Sequence, residues 1–324
     1  MSYAFRLTKT GGPEVLEWQP VDVGRPGSGQ VALRHTAVTL NYIDTLHRRG
    51  VYPLPLPNGL GVSAAGVVTE VGQGVAGLRP GDRVAYAWIS PGAYAEERIV
   101  PADRIVKIPA EISDQQAAAI MMQGMTARFL IRRTYKVKAG DTILVHAAAG
   151  GVGLFMCQWA KHLGATVIGT VSSTEKAQFV KQHGCDYPIV YTSENFVDRV
   201  VDITGGRKLP VVYDSVGKDT FDKSFDCLQP FGLMVLYGQS SGLIGPIDTS
   251  FLAAKGSLYF TRPTIWAHVA RHEDLVASAN EVFDVVKNGH VKVALARTYP
   301  LKEAGRAHND LVERKISGSV VFTL

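Results

Sequence analysis

The alternation of hydrophobic and polar positions changes rhythm near residue 123. Before it, apolar runs are short and rich in β-branched residues, as at 31–38, 66–71 and 83–88, and Gly12-Pro13, Pro26-Gly27, Pro80-Gly81 and Pro91-Gly92 separate them. That rhythm predicts a compact, mainly antiparallel β domain. Gly81-Asp82-Arg83-Val84 reads as a tight turn feeding a strand, and Ser113-Asp114-Gln115-Gln116 ahead of three alanines as a helix start. From about residue 124, strand and helix patterns alternate strictly. Strands are expected near 141–147, 165–171, 187–191, 209–214, 231–238 and 256–261, with helices near 151–163, 174–183, 194–204 and 218–228. Past 262 the pattern predicts a helix near 272–288, a strand near 291–299, a helix near 301–313 and a last strand over 319–323. These are too few elements to form a domain. The expected architecture is therefore α/β, with a doubly wound parallel sheet over 124–261 inserted into a mainly β domain made of 1–123 and 262–324.

The most informative stretch runs from Asp141 to Leu154. An apolar, β-branched run at 142–145 leads into Ala147-x-x-Gly150-x-x-Gly153, after which Val152, Phe155, Met156, Trp159, Ala160 and Leu163 recur at helical spacing. The glycine pattern alone says little. With a strand before it, an amphipathic helix after it and a second strand at 165–171, it reads as the first half of a dinucleotide-binding unit. The small residues let the backbone approach a pyrophosphate, and the amides of Ala149, Gly150, Gly151 and Val152 at the helix start face it. In such sheets an acidic residue ending the second strand binds the adenosine ribose and repels a 2′-phosphate. Here the strand ends in Ser172-Ser173-Thr174-Glu175-Lys176. Ser172, Ser173 and Lys176 can donate to a phosphate, which predicts NADPH over NADH. Glu175 is the rival ribose acid, although its position suits the first turn of the next helix; in the plainer reading the hydroxyls only cap that helix.

Composition narrows the class without changing this reading. The 324 residues are 46% hydrophobic and 19% charged, as in an ordinary globular protein. No window has the apolar length of a membrane span, and Met1-Ser-Tyr-Ala-Phe-Arg lacks the pattern of a signal peptide, so a soluble cytoplasmic protein with no membrane partner is expected. Cys157, Cys185 and Cys227 are scattered, which fits reduced thiols and neither a disulfide frame nor a zinc knuckle. A net charge of +5 could suit nucleic acid. The basic residues form only short clusters such as Arg132-Arg133, so a nucleic-acid partner is not expected, whereas a ligand carrying several phosphates is.

Several segments taken together carry a resemblance. They are Asn41-Tyr-Ile-Asp44-Thr-Leu-His-Arg48-Arg-Gly50-Val-Tyr52, Gly59-Leu-Gly61-x-x-x-Ala65-Gly66-x-Val68, Gly81-Asp82-Arg83-Val84, the 147–153 turn and Tyr213-Asp214-Ser215-Val216-Gly217. In this order, and over essentially the whole chain, they resemble the quinone oxidoreductases, the zeta-crystallin-like, zinc-free branch of the medium-chain dehydrogenases/reductases. The resemblance implies a GroES-like catalytic domain, an inserted Rossmann domain, NADPH, a quinone as small-molecule substrate, and a cleft between the domains. Zinc-dependent relatives carry a cysteine where Asn41 stands and Gly-His-Glu where Gly61-Val62-Ser63 stands, together with a four-cysteine lobe. This chain has no cysteine before Cys157, so no metal site is expected. Hydride transfer to an acceptor that is already electron-poor follows, the protein supplying orientation and donors for the oxygen that gains charge.

By residue-by-residue matching, the resemblance places Asn41, Tyr42, Asp44 and Tyr52 beside the nicotinamide. A Tyr hydroxyl or the Asn41 amide would polarise the acceptor; the plainer alternative for Tyr52 is a ring packed on the Pro53 and Pro55 loop. Tyr191 falls near the adenosine phosphate, Ser215, Tyr237, Gly238, Gln239 and Ser240 near the nicotinamide ribose, Arg262 on the return crossing, and Arg314 as a further phosphate contact. Phe129 and Leu46 depart from relatives, which carry a tyrosine or another aromatic there. The resemblance also implies a homodimer joined through 256–261. The alternatives are an NADPH-dependent reductase of α,β-unsaturated aldehydes or ketones and, more remotely, an RNA-binding or structural crystallin-like role.

Overall fold

The computed structural model describes residues 1–324, which divide into two compact units. Unit 1 comprises residues 1–125, 269–287 and 293–324; unit 2 comprises 126–268 and 288–292.

Unit 1 opens with β1 (Ser2–Leu7), β2 (Glu17–Val21) and β3 (Gln30–Leu40), then α1 (Tyr42–Arg48), β4 (Asn58–Gly59), β5 (Ser63–Val71), β6 (Arg83–Ala87), β7 (Glu97–Pro101), β8 (Val106–Lys107) and the first three turns of α2 (Asp114–Phe129), whose last residues belong to unit 2. The strand β3 shows why these segments pair. Val31, Leu33 and His35 are buried at alternate positions, so one face enters the core while the other meets solvent. It bonds antiparallel to both β5 and β7. A small sheet in the order β2-β1-β4 lies beside it in the same unit.

Unit 2 holds β9 (Thr142–Val145), α3 (Gly151–His162), β10 (Thr166–Val171), α4 (Thr174–Lys181), β11 (Tyr187–Val190), α5 (Phe196–Thr204), β12 (Leu209–Asp214), α6 (Phe221–Asp226), β13 (Leu228–Leu236), α7 (Ser250–Ala254), β14 (Tyr259–Thr261) and α8 (Ile265–His268). Its six strands lie in the order β11-β10-β9-β12-β13-β14, every pair parallel. The order reverses between β9 and β12, and that switch point is where such sheets receive a ligand. Leu144, Ile168, Ile189, Val212 and Met234 form the core against Phe196, Phe221 and Phe225. Each fully buried side chain of this size contributes roughly 1.5–3 kcal/mol.

The chain closes unit 1 with α9 (His272–Lys287), β15 (Leu295–Pro300), α10 (Ala304–Val312) and β16 (Ser319–Thr323). Strand β16 joins β3 antiparallel and β15 parallel, so the larger sheet runs β15-β16-β3-β5-β6-β8 with β7 on β3.

Several elements differ from the pattern-based reading. The helix expected at 218–228 is only Phe221–Asp226, because Gly217 is left-handed (φ 87°) and Leu228 enters β13 directly. The strand expected at 256–261 is only Tyr259–Thr261, since Gly256 and Ser257 both take positive φ. The tail strand starts at Leu295, as 288–292 belong to unit 2. The helices α1 and α7 lack the long apolar periodicity that would announce them.

Candidate active site

In unit 2 the turn between β9 and α3 is lined by backbone. Ala147 adopts φ 53°, a left-handed conformation that costs a non-glycine residue roughly 1–2 kcal/mol. The Gly150 N–H closes the turn on the Ala147 carbonyl at 2.9 Å. A Cβ on Gly153 would lie 2.5 Å from that same oxygen and 2.8 Å from the Ala148 Cα, so only glycine lets the helix begin this close to the turn. Gly150 is the N-cap and offers no side chain to the first amides. The N–H groups of Gly151 and Val152, half-buried beside buried Ala149 and exposed Gly150, are therefore left for a ligand, and the helix dipole favours an anion there. This cradle meets the steric and charge needs of a pyrophosphate.

The other expected cofactor residues of unit 2 fall at the carboxyl ends of the same strands. Ser172, Ser173 and Lys176 follow β10, half-buried. Ser173 is engaged twice: its Oγ accepts the Lys176 backbone N–H at 3.3 Å, and it hydrogen-bonds Glu175, holding that carboxyl below its usual range. Ser173 thus caps α4, as the plainer reading expected. Glu175 stands in the first turn of α4. Tyr191 follows β11, its N–H bonded to the Val171 carbonyl at 3.1 Å. Tyr237 and Ser215 hydrogen-bond each other through their side chains, and burial pushes the Tyr237 hydroxyl upward. Gly238 passes so close to Ser215 that a Cβ would sit 2.8 Å from its carbonyl. The Ser240 N–H bonds that carbonyl at 3.1 Å, and half-buried Gln239 lies between them in sequence. Arg262 is exposed just past β14.

Beneath these loops lies a polar chain that sequence reasoning missed. Buried His146 bonds the Thr170 hydroxyl at 2.9 Å and the Ser224 hydroxyl at 3.0 Å. Ser224 in turn reaches Asp214, whose carboxylate accepts the backbone N–H groups of Val216 at 2.7 Å and Gly217 at 3.1 Å and the Thr220 hydroxyl at 2.7 Å. Burial lowers the His146 imidazole below its usual range, against the opposing charge of Asp214. The chain ties the ends of β9, β10 and β12 together and shapes the 215–217 loop. The one available signal was a histidine closing an otherwise apolar strand.

In unit 1, Asn41 is the N-cap of α1 and only 6% exposed. Its amide nitrogen donates to the Ser63 hydroxyl at 2.9 Å and, more weakly, toward the Thr39 carbonyl at 3.4 Å. Both amide hydrogens are thus directed at groups of unit 1. Asp44 is fully buried; its Oδ2 accepts the Asn41 backbone N–H at 2.8 Å and the Tyr94 hydroxyl at 3.2 Å. It exposes no surface, and both of these contacts lie within unit 1. Tyr42 is half-buried, its hydroxyl pushed up by burial against the opposing pull of Arg49 and Arg314. Arg314 follows α10 in a left-handed conformation, exposed, with its charge felt at Tyr42. Tyr52 is half-buried, and its ring meets His47 edge-on with centroids 6.3 Å apart, a contact its proline-loop reading did not include. Leu46 is buried.

Two family descriptions match: an alcohol dehydrogenase GroES-like domain over 27–110 and a zinc-binding dehydrogenase domain over 151–270. The chain is 47% identical over 323 residues, 99% of each protein, to a quinone oxidoreductase of Pseudomonas aeruginosa. It belongs to the quinone oxidoreductase family. A 2-haloacrylate reductase of Burkholderia is 45% identical over 330 residues, again 99% of each. Among solved structures, the Escherichia coli quinone oxidoreductase complexed with NADPH superposes with a TM-score of 0.98 at 45% identity, covering 99% of this chain and all of that one. Members of this family share the GroES-like and Rossmann-like pair seen in units 1 and 2. Asn41 and Ser63 hydrogen-bond each other where zinc relatives carry cysteine and glutamate, and no three of His, Cys, Asp or Glu converge anywhere.

Proposed function

We propose that this protein is an NADPH-dependent quinone reductase acting by hydride transfer. The observation that carries the reading is full-length identity of 47% to a quinone oxidoreductase, joined to a glycine cradle at the switch point of the parallel sheet. The residues fit the cofactor: the uncapped amides of Gly151 and Val152 would hold the pyrophosphate beside Ala149 and Gly150, and Ser172 with Lys176 would hold the 2′-phosphate. Ser173 would keep that strand end in shape by capping α4. Tyr191 would flank the adenosine, while Ser215, Tyr237, Gly238, Gln239 and Ser240 would line the ribose at the nicotinamide end. When bound, NADPH supplies the hydride. The Tyr42 and Tyr52 hydroxyls would donate to the acceptor oxygen as it gains charge, and Arg262 and Arg314 would add positive potential toward phosphates or that oxygen. Asn41 and Asp44 would act by shaping the segment that carries Tyr42. No helix is long and apolar enough to cross a membrane, and we place the protein in the cytoplasm as a homodimer joined through the exposed edge strand β14.

One observation favours a second substrate class. The 45% identical 2-haloacrylate reductase is named for an acceptor that, like a quinone, has a C=C bond conjugated to a carbonyl group. Steady-state assays with NADPH and 1,4-benzoquinone, 9,10-phenanthrenequinone, a 2-alkenal and 2-chloroacrylate separate the two. The reading expects the highest kcat/KM with a quinone; a higher value for the alkenal or the haloacrylate overturns it.

A further inference from the structure

Unit 1 contains a one-way chain of buried hydrogen bonds that ends at the proposed acceptor side. Arg48, 3% exposed, donates from Nε to His308 Nδ1 at 3.3 Å and from its guanidinium to the Gly11 carbonyl at 2.7 Å. An arginine can only donate, so Nδ1 of His308 carries no proton and its Nε2 must. That Nε2 lies 3.0 Å from the Tyr94 hydroxyl, which therefore accepts from His308 and turns its own proton to Asp44 Oδ2 at 3.2 Å. The same oxygen takes the Asn41 backbone N–H, as part of the capping of α1. Every direction in the chain is thus set by the arginine at one end. His308, Asp44 and Tyr94 show no exposed surface, and Asp44 Oδ1 has no partner.

The motif glycine at 61 serves this chain: it is left-handed (φ 87°), and a Cβ there would run into the Tyr94 ring. Phe322 and Phe5 pack against the other sides of that ring, with centroids 5.1 Å and 6.4 Å away.

We propose that Asp44, Tyr94, His308 and Arg48 are positioning residues: the relay they form holds the N-cap of α1, and with it Asn41 and Tyr42, in the geometry that turnover requires, and does so only while Asp44 is ionised. The proposal rests on the reading that Tyr42 faces the acceptor.

Burial pushes the Asp44 carboxyl up to about 7, against the opposing pull of the Asn41 N–H and the Tyr94 hydroxyl. The proton it takes up near neutrality goes to Oδ1, since Oδ2 already accepts two bonds. Those bonds then lose their charge-assisted character and weaken. The groups around Asp44 do not titrate in the same window. Burial and the Arg48 charge hold His308 at about 3, burial holds His47 at about 4, and Tyr94 is driven far up. Burial lowers the Arg48 guanidinium, with Glu14 pulling it up and Arg49 down, and an arginine stays cationic across this range. The sign follows: the ordered form is the ionised one, so turnover rises with pH through about 7 and levels off above it.

The test is kcat with 1,4-benzoquinone from pH 5.5 to 8.5 in wild type, Asp44→Asn and Tyr94→Phe. Deuterium exchange of the peptide spanning 41–48 is followed over the same range, corrected for intrinsic exchange. Wild type should show one ionisation near 7 in both readouts. Asp44→Asn should be flat, with kcat lower by roughly tenfold to a hundredfold at pH 8, the size of a displaced catalytic group. Tyr94→Phe removes a donor to the carboxylate, so the midpoint should move up by about one to two pH units. NADPH binding by fluorescence should be unchanged in both variants. A flat wild-type profile, an unmoved midpoint in Tyr94→Phe, or wild-type rates in Asp44→Asn would each overturn the relay. If Asp44→Asn does not fold, Tyr94→Phe alone decides. If wild type reduces no quinone, the reductase reading fails and the exchange profile still decides the relay.

Discussion

At the residue scale, the end of β10 shows how one side chain's engagement redistributes a role. Ser173 both accepts from Lys176 and hydrogen-bonds Glu175, so in the proposed reading phosphate recognition would rest on Ser172 and on the Lys176 ammonium. A hydrogen bond from a charged donor contributes roughly 1.5–3 kcal/mol. Lys176→Ala should therefore raise KM for NADPH about tenfold or more and leave KM for NADH nearly unchanged, measured with one quinone at saturation; equal effects on the two cofactors would remove the 2′-phosphate role. Asn41 and Asp44 were legible as important positions through the motif they share. Their direction was not, because a sequence names donors and acceptors without saying which way they turn. Only the Ser63 hydroxyl at 2.9 Å shows that the Asn41 amide is already taken.

At the element scale, the β9–α3 join is specified by its local sequence. Its glycines have separate reasons: Gly150 leaves the first amides uncapped, and Gly153 lets the helix approach the turn. Gly153→Ala would force the backbone of Ala147 and Ala148 apart, since the obstructing atoms are main chain and cannot rotate away. The expected outcome is an NADPH Kd at least about tenfold weaker by fluorescence titration, with a fold that is otherwise retained by circular dichroism. Unchanged affinity would show that the cradle tolerates displacement. The pattern predicted this join because strand, glycine turn and helix are all local. The short helix α1 was not predicted as a helix: seven residues carry too little periodicity, and its stability comes from capping by Asp44 and from the tertiary chain behind it.

At the scale of the whole molecule, β14 is an edge strand of the parallel sheet, with Tyr259 60% exposed and no lysine, proline or bulge among its three residues. Unguarded edges of this kind invite a second strand. A dimer through β14 predicts that wild type sediments as a dimer at micromolar concentration and that Tyr259→Asp shifts it toward monomer; a monomeric wild type would refute it.

The sequence by itself determined the alternation of the nucleotide-binding unit, the doubly wound sheet, the cofactor cradle and the absence of zinc ligands at 41 and 61–63. Each of these depends on residue type at short spacing, where steric size, periodicity and ligand chemistry leave few solutions. The tertiary structure alone decided what depends on residues far apart in the chain: the polar chain from His146 to Asp214, and the relay from Arg48 through His308 and Tyr94 to Asp44, which joins positions up to 264 apart. A hydrogen bond needs two partners within about 3 Å and correctly directed, and no local pattern encodes the fold that brings a histidine of the last helix to a tyrosine two hundred residues earlier.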